Sequence, residues 1–425
     1  MQINVNEITS MVDDQIHIVI SGLSSGSILK IKLNTALPWC PSLEFSSYAN
    51  YIANSTGIVD LDTAVPIEGT YRHAHPMGLV YSLQATAPLT QDISANINVD
   101  HPMFFHFTFE TDMQTESLQI TRLFKTDDIH ITPIHDSFNG QLFHNGDKAR
   151  KMILMLGGSD GQMEALSLLA APLASRGFNV LVIPYFGAED LPEKLEMVPL
   201  EYFEKIFHWI ETNTLTQMSD IYLHGTSKGS ELALLLASRY PQIKKVAAVE
   251  AHTYCFQALD GLMSGNLVSS WSYKGTSIPF IPVDNNIFFE ELKKDVKNNV
   301  PFGFASTYKH SIENATNREE ARIKIENASA DILLICGKSD NIWNSYDGCQ
   351  EILNAAKTHT YKQDIKLLAY EDMGHPLPIP YVLPIALTLK MPMNGGIFTS
   401  GGTIEGNSDA QYDSWKKTIA FFLAS

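Results

Sequence analysis

Three short stretches, far apart in the chain, carry side chains that together could perform acyl transfer: Gly225-Thr226-Ser227-Lys228-Gly229, Lys338-Ser339-Asp340 and Asp372-Met373-Gly374-His375. A serine hydroxyl is a weak nucleophile. It needs a base to take its proton, and a histidine base needs an acid to hold its tautomer and stabilise its charged form. Gly-x-Ser-x-Gly at the end of an apolar run places the hydroxyl on a tight turn into a helix, where small neighbours avoid clashes. Asp340 follows the apolar run Leu333 to Cys336, and His375 follows Lys366 to Tyr370. Ser227, Asp340 and His375 are therefore the candidate nucleophile, orienting acid and base.

The serine motif alone discriminates poorly. With glycine and serine each near ~7% of residues, a chain this long matches it by chance with a probability of about one in seven, and this chain matches it three times. Gly22-Leu23-Ser24-Ser25-Gly26 lies between the alternating runs Ile16 to Ile20 and Ile28 to Ile31 and reads as a hairpin turn. Gly157-Gly158-Ser159-Asp160-Gly161 is a stronger rival, because it follows the apolar Met152 to Leu156 and precedes the helical Met163 to Arg176. It comes early, however, where a loop of this kind supplies an oxyanion amide and not the nucleophile. Gly158 and Ser159 are accordingly assigned to the oxyanion hole through their backbone, with the Lys228 amide as the second donor. The Lys228 side chain is expected in solvent.

Each candidate also has an ordinary structural use. A serine at a strand-to-helix junction can be an N-cap, Asp340 in Ser339-Asp340-Asn341 suits a turn, and His375 is one of 14 histidines. Asp331 and Asp347 compete for the role of acid, although Asp331 precedes its strand and so falls at the wrong sheet edge. The joint placement favours catalysis, since all three candidates follow strands, at the edge where open α/β sheets bind ligands. His252, just beyond Val246 to Glu250, reads as a polar strand-end residue. Gly395-Gly396 and Gly401-Gly402 follow no strand and carry no lysine, so they read as loop and not as a phosphate cradle.

The elements that must position these residues change character along the chain. Up to about residue 135 there are short alternating segments, Ile16 to Ile20, Ile28 to Leu33, Gly78 to Ala85, Phe104 to Glu110 and Ser117 to Phe124, separated by turn-forming clusters. That pattern predicts an all-β, immunoglobulin-like sandwich over residues 1–135. From about residue 148, apolar strands (Met152 to Leu156, Asn179 to Ile183, Asp220 to Leu223, Val246 to Glu250, Ile332 to Cys336, Lys366 to Tyr370) alternate with helical stretches (Met163 to Arg176, Leu200 to Asn213, Gly229 to Arg239, Tyr346 to His359, Gln411 to Leu423). Residues 136–425 are thus expected to form a doubly wound, mostly parallel sheet of the α/β-hydrolase class, and 259–316 a cap or insertion over the site. No internal repeat or low-complexity tract is apparent.

Composition limits the partners. The chain has 425 residues, 44% of them apolar and 18% charged, which describes an ordinary globular protein of two or three domains. A net charge of −17 argues against nucleic acid and anionic membrane. No apolar run is long enough to span a bilayer, and Met1 to Glu7 lacks the features of a signal peptide, so a cytoplasmic protein is expected. Cys40, Cys255, Cys336 and Cys349 show no metal or disulfide spacing and are expected to be reduced. No cofactor or metal is called for, and the expected partner is a small acyl substrate. The oligomeric state is left open.

Several stretches are more specific than a generic hydrolase requires: Gly69-Thr70-Tyr71 and Pro76-Met77-Gly78-Leu79, then Tyr185 to Pro192, Leu200-Glu201-Tyr202-Phe203, Gly225 to Leu232, Asp340-Asn341-Ile342-Trp343 and Gly374-His375. Together they resemble the acyl-CoA thioesterase and bile acid-CoA:amino acid N-acyltransferase family over essentially the whole chain. The resemblance implies an immunoglobulin-like domain ahead of the hydrolase domain, and Ser227, Asp340 and His375 as the triad. It also implies cleavage of acyl-CoA to free acid and CoA through an acyl-serine. N-acyltransferases of that family typically carry cysteine at the nucleophile position, so Ser227 favours water as acceptor. Transfer to an amine or amino acid, and hydrolysis of other esters, are the alternatives, as is a retired hydrolase serving as a binding module. The net acidity opposes an anionic CoA ester at long range unless Arg150, Lys151, Lys274 or other cations gather at the mouth, and screening limits this beyond ~8 Å. Asp160 is expected to add a carboxylate near the oxyanion loop.

Overall fold

The structure is a computed structural model. It describes residues 1–87, 96–146, 148–159, 161, 163–259, 266–376, 378–382, 385, 388–390 and 397–424, with 216–219 and 388–390 described by backbone alone. The chain forms two compact units, Met1–Asp127 with Ile379–Ile385, and Asp128–Pro378 with Ala386–Ser425.

The first unit is mainly β. One sheet runs Thr9–Met11, Thr115–Leu123, Met103–Glu110, Ile28–Leu37, Cys40–Ile52, Glu68–Gly69, and a three-stranded sheet joins Gln2–Val5, Ile18–Ser21 and Val59–Asp60. Period-2 patterning is read out directly: Leu29, Ile31 and Leu33 are fully buried, while Lys30 and Lys32 between them are exposed. Two expectations fail here. Gly22 to Gly26 is not a hairpin turn, because the strands it joins belong to different sheets, each paired with other partners. Alternation within each strand shows that one face is buried, but not which strand it pairs with. Gly78 to Ala85 is not a continuous strand either. Gly78–Tyr81 is a helical turn and only Gln84–Ala85 is extended. All four residues of that turn are buried, so no exposed face exists to give alternation its meaning. Gly78 lies so close to the Tyr71 ring that a Cβ would sit 2.0 Å from it.

The second unit is built on an eight-stranded sheet. In chain order its strands are His130–His135, Asn139–His144, Arg150–Leu156, Asn179–Val182, Thr216–Thr226, Ile243–Val249, Asp331–Gly337 and Ile365–Tyr370. Counted this way they lie across the sheet as 1-2-4-3-5-6-7-8. Strands three to eight run parallel, whereas the first and second pair antiparallel and the second joins the fourth antiparallel. This is the α/β-hydrolase arrangement. The strand His130–His135 belongs to this sheet, so the change of unit comes at Asp127, ahead of residue 135.

The central strands are buried on both faces. Ile332, Leu334 and Cys336 point into a core shared with Leu232 to Ala237 and Ile352 of the flanking helices, while Leu333 and Ile335 point to the opposite core with Val249, Met373 and Ala410. Helices therefore have to cover both sides. Between the sixth and seventh strands the chain makes an insertion, with helices Asn285–Asn298 and Ala305–Asn314 among the described residues; 260–265 lie outside them. Tyr254, Phe256, Ile281, Val283, Tyr308 and Ile312 pack this insertion around Trp343.

Candidate active site

The fifth strand of the large sheet ends at Thr226 and the helix Lys228–Ala237 begins two residues later, with Ser227 between them at φ 55°, ψ −121°. A non-glycine residue in that region is strained, and the strain is held by packing. The two motif glycines are required by close approach. A Cβ on Gly225 would lie 2.2 Å from the Gly229 carbonyl oxygen, and one on Gly229 would lie 2.3 Å from that of Gly157. The Ser227 amide donates to the Val249 carbonyl (3.0 Å), and the Ser227 carbonyl accepts from the Ser230 and Glu231 amides (2.9 and 3.3 Å). The hydroxyl is left at the carboxyl edge of the sheet.

The other two candidates meet it there. His375 Nε2 lies 3.0 Å from Ser227 Oγ, and His375 Nδ1 lies 3.0 Å from Asp340 Oδ2. Asp340 Oδ1 accepts from the Ile342 amide (2.8 Å) and Oδ2 from the Ser345 amide (3.3 Å). A carboxylate on Nδ1 makes that nitrogen the donor, so Nε2 of the neutral ring is free to take the serine proton. Burial alone would raise the Asp340 pKa, but the facing His375 and its hydrogen bond, with Ser345 and Ile342, hold it below the ordinary value. Burial works to lower His375, yet two carboxyl groups, Glu250 first and then Asp340, push it up to about 9.

Loops from three regions lock this geometry. The His375 amide donates to the Ser400 carbonyl (3.0 Å), Ser339 donates to Met373 (3.0 Å), and the Gly374 amide donates to Asn407 Oδ1 (2.8 Å). Gly401 bridges Asp340 and Gly402 bridges Met373. Gly401-Gly402 follows the short strand Ile397–Thr399, against the expectation that no strand precedes it, and it buttresses the acid and base loops at φ 86° and 74°. Gly395-Gly396 lies outside the described residues. The competing carboxylates are elsewhere: Asp331 accepts from the Asp364 amide at the start of its strand, and Asp347 is exposed in the first turn of the helix Ser345–Thr358.

The proposed oxyanion residues converge less completely. Tyr185 Oη donates to the carbonyls of Gly157 (2.6 Å) and Gly158 (2.9 Å), which shapes the loop after the third strand. Ser159 is exposed and Asp160 lies outside the described residues. The Lys228 amide stands in the first turn of its helix, where amides lack intrahelical acceptors. Its side chain corrects the sequence reading. Lys228 is buried, with Nζ 2.8 Å from both oxygens of Glu231, and Glu231 also accepts from Trp271 Nε1 (2.6 Å) and the Phe256 amide (3.3 Å). Two charges three residues apart at the head of an otherwise apolar helix were the available signal. The pair ties the insertion to the nucleophile helix. Removing one member leaves a buried charge unpaired, so Glu231→Gln is expected to lose about 3–5 kcal/mol in urea unfolding; a loss within experimental error would refute this anchoring role.

Arg150, Lys151 and Lys274 do not gather at the serine. Arg150 and Lys151 begin the third strand, at the opposite sheet edge, and Lys151 Nζ binds the carbonyls of Phe422, Leu423 and Ala424. Lys274 follows the strand Trp271–Tyr273 with its ammonium over the Tyr273 ring, and its amide donates to Glu201. His252 is fully buried beside Phe256 and Trp343, and burial lowers its pKa to about 3. All four cysteines are buried and none forms a disulfide. Among the described residues there is no cluster able to hold a metal ion, and no helix is long and apolar enough to cross a membrane.

Two family models match the chain: the C-terminal model of BAAT and acyl-CoA thioester hydrolases over residues 198–424, and the corresponding N-terminal region over 13–136. Among curated relatives, the mouse bile acid-CoA:amino acid N-acyltransferase is 27% identical, covering 97% of this chain and 95% of its own. Human acyl-coenzyme A thioesterase 1 is 24% identical, covering 96% and 93%, and human acyl-coenzyme A thioesterase 6 is 26% identical with the same coverage.

Proposed function

The chain belongs to the BAAT and acyl-CoA thioester hydrolase family, and on that premise we propose that it is a serine hydrolase cleaving acyl-CoA to free acid and CoA. The observation that carries this reading is the continuous contact from Ser227 Oγ through His375 to Asp340 at the carboxyl edge of the sheet. Ser227 attacks the thioester carbonyl as His375 Nε2 takes its proton, and Asp340 steadies the imidazolium. Backbone amides at Gly158, Ser159 and Lys228 receive the oxyanion. Collapse breaks the C–S bond, CoA departs with the C–S electron pair, the imidazolium gives up its proton, and an acyl-serine remains. Water, deprotonated by His375, then releases the acid and restores Ser227.

Serine at the nucleophile position supports water as the acceptor, because an acyl-serine is an oxygen ester and less reactive toward amines than a thioester. Four buried cysteines outside any disulfide support a cytoplasmic setting, the two-sheet first unit supports an immunoglobulin-like domain, and the proposed substrate class supports a role in lipid metabolism.

A panel of acyl-CoA esters of graded chain length, with products identified by mass spectrometry, tests the reading. Free acid is expected as essentially the sole acyl product, and millimolar glycine or taurine should leave thiol release unchanged. An amide-dominated profile would assign the protein to amino acid N-acyltransfer instead.

A further inference from the structure

The sixth strand ends in Val249, and the next residue, Glu250, is fully buried in a left-handed conformation (φ 57°). A strained, buried carboxyl group at a strand end is costly on two counts. The surroundings hold it firmly. The Glu250 amide donates to the Ile335 carbonyl (2.6 Å), and its own carbonyl accepts from Trp343 Nε1 (2.9 Å) and Ser230 Oγ (3.4 Å). The carboxyl group is directed at one place: Oε2 lies 3.0 Å from His375 Nε2, the same nitrogen that is 3.0 Å from Ser227 Oγ. Neither carboxyl oxygen has a hydrogen-bond partner among the described residues, so the approach of Oε2 to His375 is an ion-pair contact, while the hydrogen bond of Nε2 is the one with Ser227 Oγ.

We propose that Glu250 is a fourth member of the catalytic group, holding the proton on His375 Nε2 and thereby specialising the site for leaving groups that depart unprotonated, thioesters over oxygen esters. The proposal rests on the thioester reading above.

In an ordinary triad the imidazolium returns its proton to the leaving group. An alkoxide, whose conjugate acid has a pKa near that of water, ~15.7, needs that proton. A thiolate, with a conjugate acid near ~8.5, does not. In acylation here the Ser227 proton moves to Nε2 as the Oγ–C bond forms and the C–S bond breaks, so thiolate leaves with the C–S electron pair. The proton stays between Nε2 and Oε2. Passing it to Oε2 restores a neutral imidazole while the acyl-serine is intact, and that imidazole deprotonates water. The water proton returns to Ser227 when the acid leaves, and the stored proton goes to solvent, matching the thiolate released.

The titratable groups facing Glu250 are His375 on the base loop and Asp340 on the acid loop. On the nucleophile helix, Lys228 and Glu231 are paired with each other, and His252 on its own segment is neutral. Burial first, with Asp340 adding and His375 opposing, raises Glu250 to about 8. The pair therefore keeps a proton into the alkaline range, and acylation runs from the form that has lost it, with Glu250 ionised and His375 neutral.

The test uses the full chain and two substrates with the same acyl group, an N-acetylcysteamine thioester and the oxygen ester of N-acetylethanolamine, over a pH series. Loss of the negative charge beside Nε2 makes the imidazolium easier to deprotonate. In Glu250→Gln the acid limb of kcat/KM should move down by about one unit or more, and the thioester to oxygen-ester ratio above that limb should fall about tenfold or more. Glu250→Asp, which keeps a carboxyl group, should retain part of the upward displacement of that limb. The rate of fluorophosphonate labelling of Ser227 against pH reads the same ionisation without any acyl substrate. Turnover of neither ester by the wild type, with the labelling limb still shifted in Glu250→Gln, would overturn the thioester reading and leave only the proton-holding contact. Equal losses on both esters with an unmoved limb in Gln and Asp variants, or a labelling limb identical to wild type, would overturn the role of Glu250.

Discussion

Ser227→Ala is expected to lower kcat/KM by about four to six orders of magnitude with the melting temperature unchanged. The physical reason is local. The side chain's hydrogen bond is to His375, while the turn is held by the Ser227 backbone and by the close approach of Gly225 and Gly229 to neighbouring carbonyls. Alanine preserves both, so the nucleophile alone is lost. The residual rate comes from backbone amides and substrate positioning. Ser159→Ala is the control. Ser159 is exposed, and its proposed contribution is a backbone amide that alanine retains, so near-normal turnover is expected. Initial-rate kinetics on one acyl-CoA, alongside thermal melts, measure both, and the reverse pattern of losses would transfer the nucleophile to Ser159.

The second large effect concerns the base and its acid. His375→Ala removes the proton acceptor and should cost nearly as much as the serine change. Asp340→Asn should cost about four orders of magnitude, because an amide at Nδ1 no longer enforces the tautomer that leaves Nε2 free. Asp340 also accepts the Ile342 and Ser345 amides, so its variant should lose some stability, and the histidine variant, which leaves the buried Glu250 and Asp340 carboxyl groups without their partner, should lose stability as well. The decisive readout is the double variant. Groups that act as a unit do not contribute independently, so Ser227→Ala combined with His375→Ala should be hardly worse than either alone. Losses that multiply would show that the two residues act in separate steps, and the triad assignment would fail.

Much of this was legible in the sequence because it depends on local pattern. Alternation of apolar strands with helices determined the layered second unit, since a strand buried on both faces must read as a continuous apolar run. Small residues around Ser227 marked a turn too tight for a Cβ, and Asp340 and His375 each follow such a run. Only the tertiary structure decided which strands of the first unit pair, because period 2 encodes a buried face and not a partner. It also decided the start of the C-terminal helix. Gly406, Asn407 and Ser408 are poor helix formers, yet the helix begins at Ile404, where Thr403 caps it and Asn407 reaches the Gly374 amide. Lys228 reads as a surface charge until Glu231 and Trp271 are seen to enclose it, and Glu250 reads as an ordinary strand-end acid until His375, 125 positions later in the chain, comes within 3.0 Å. Burial and charge pairing are properties of neighbours distant in sequence, and no local window contains them.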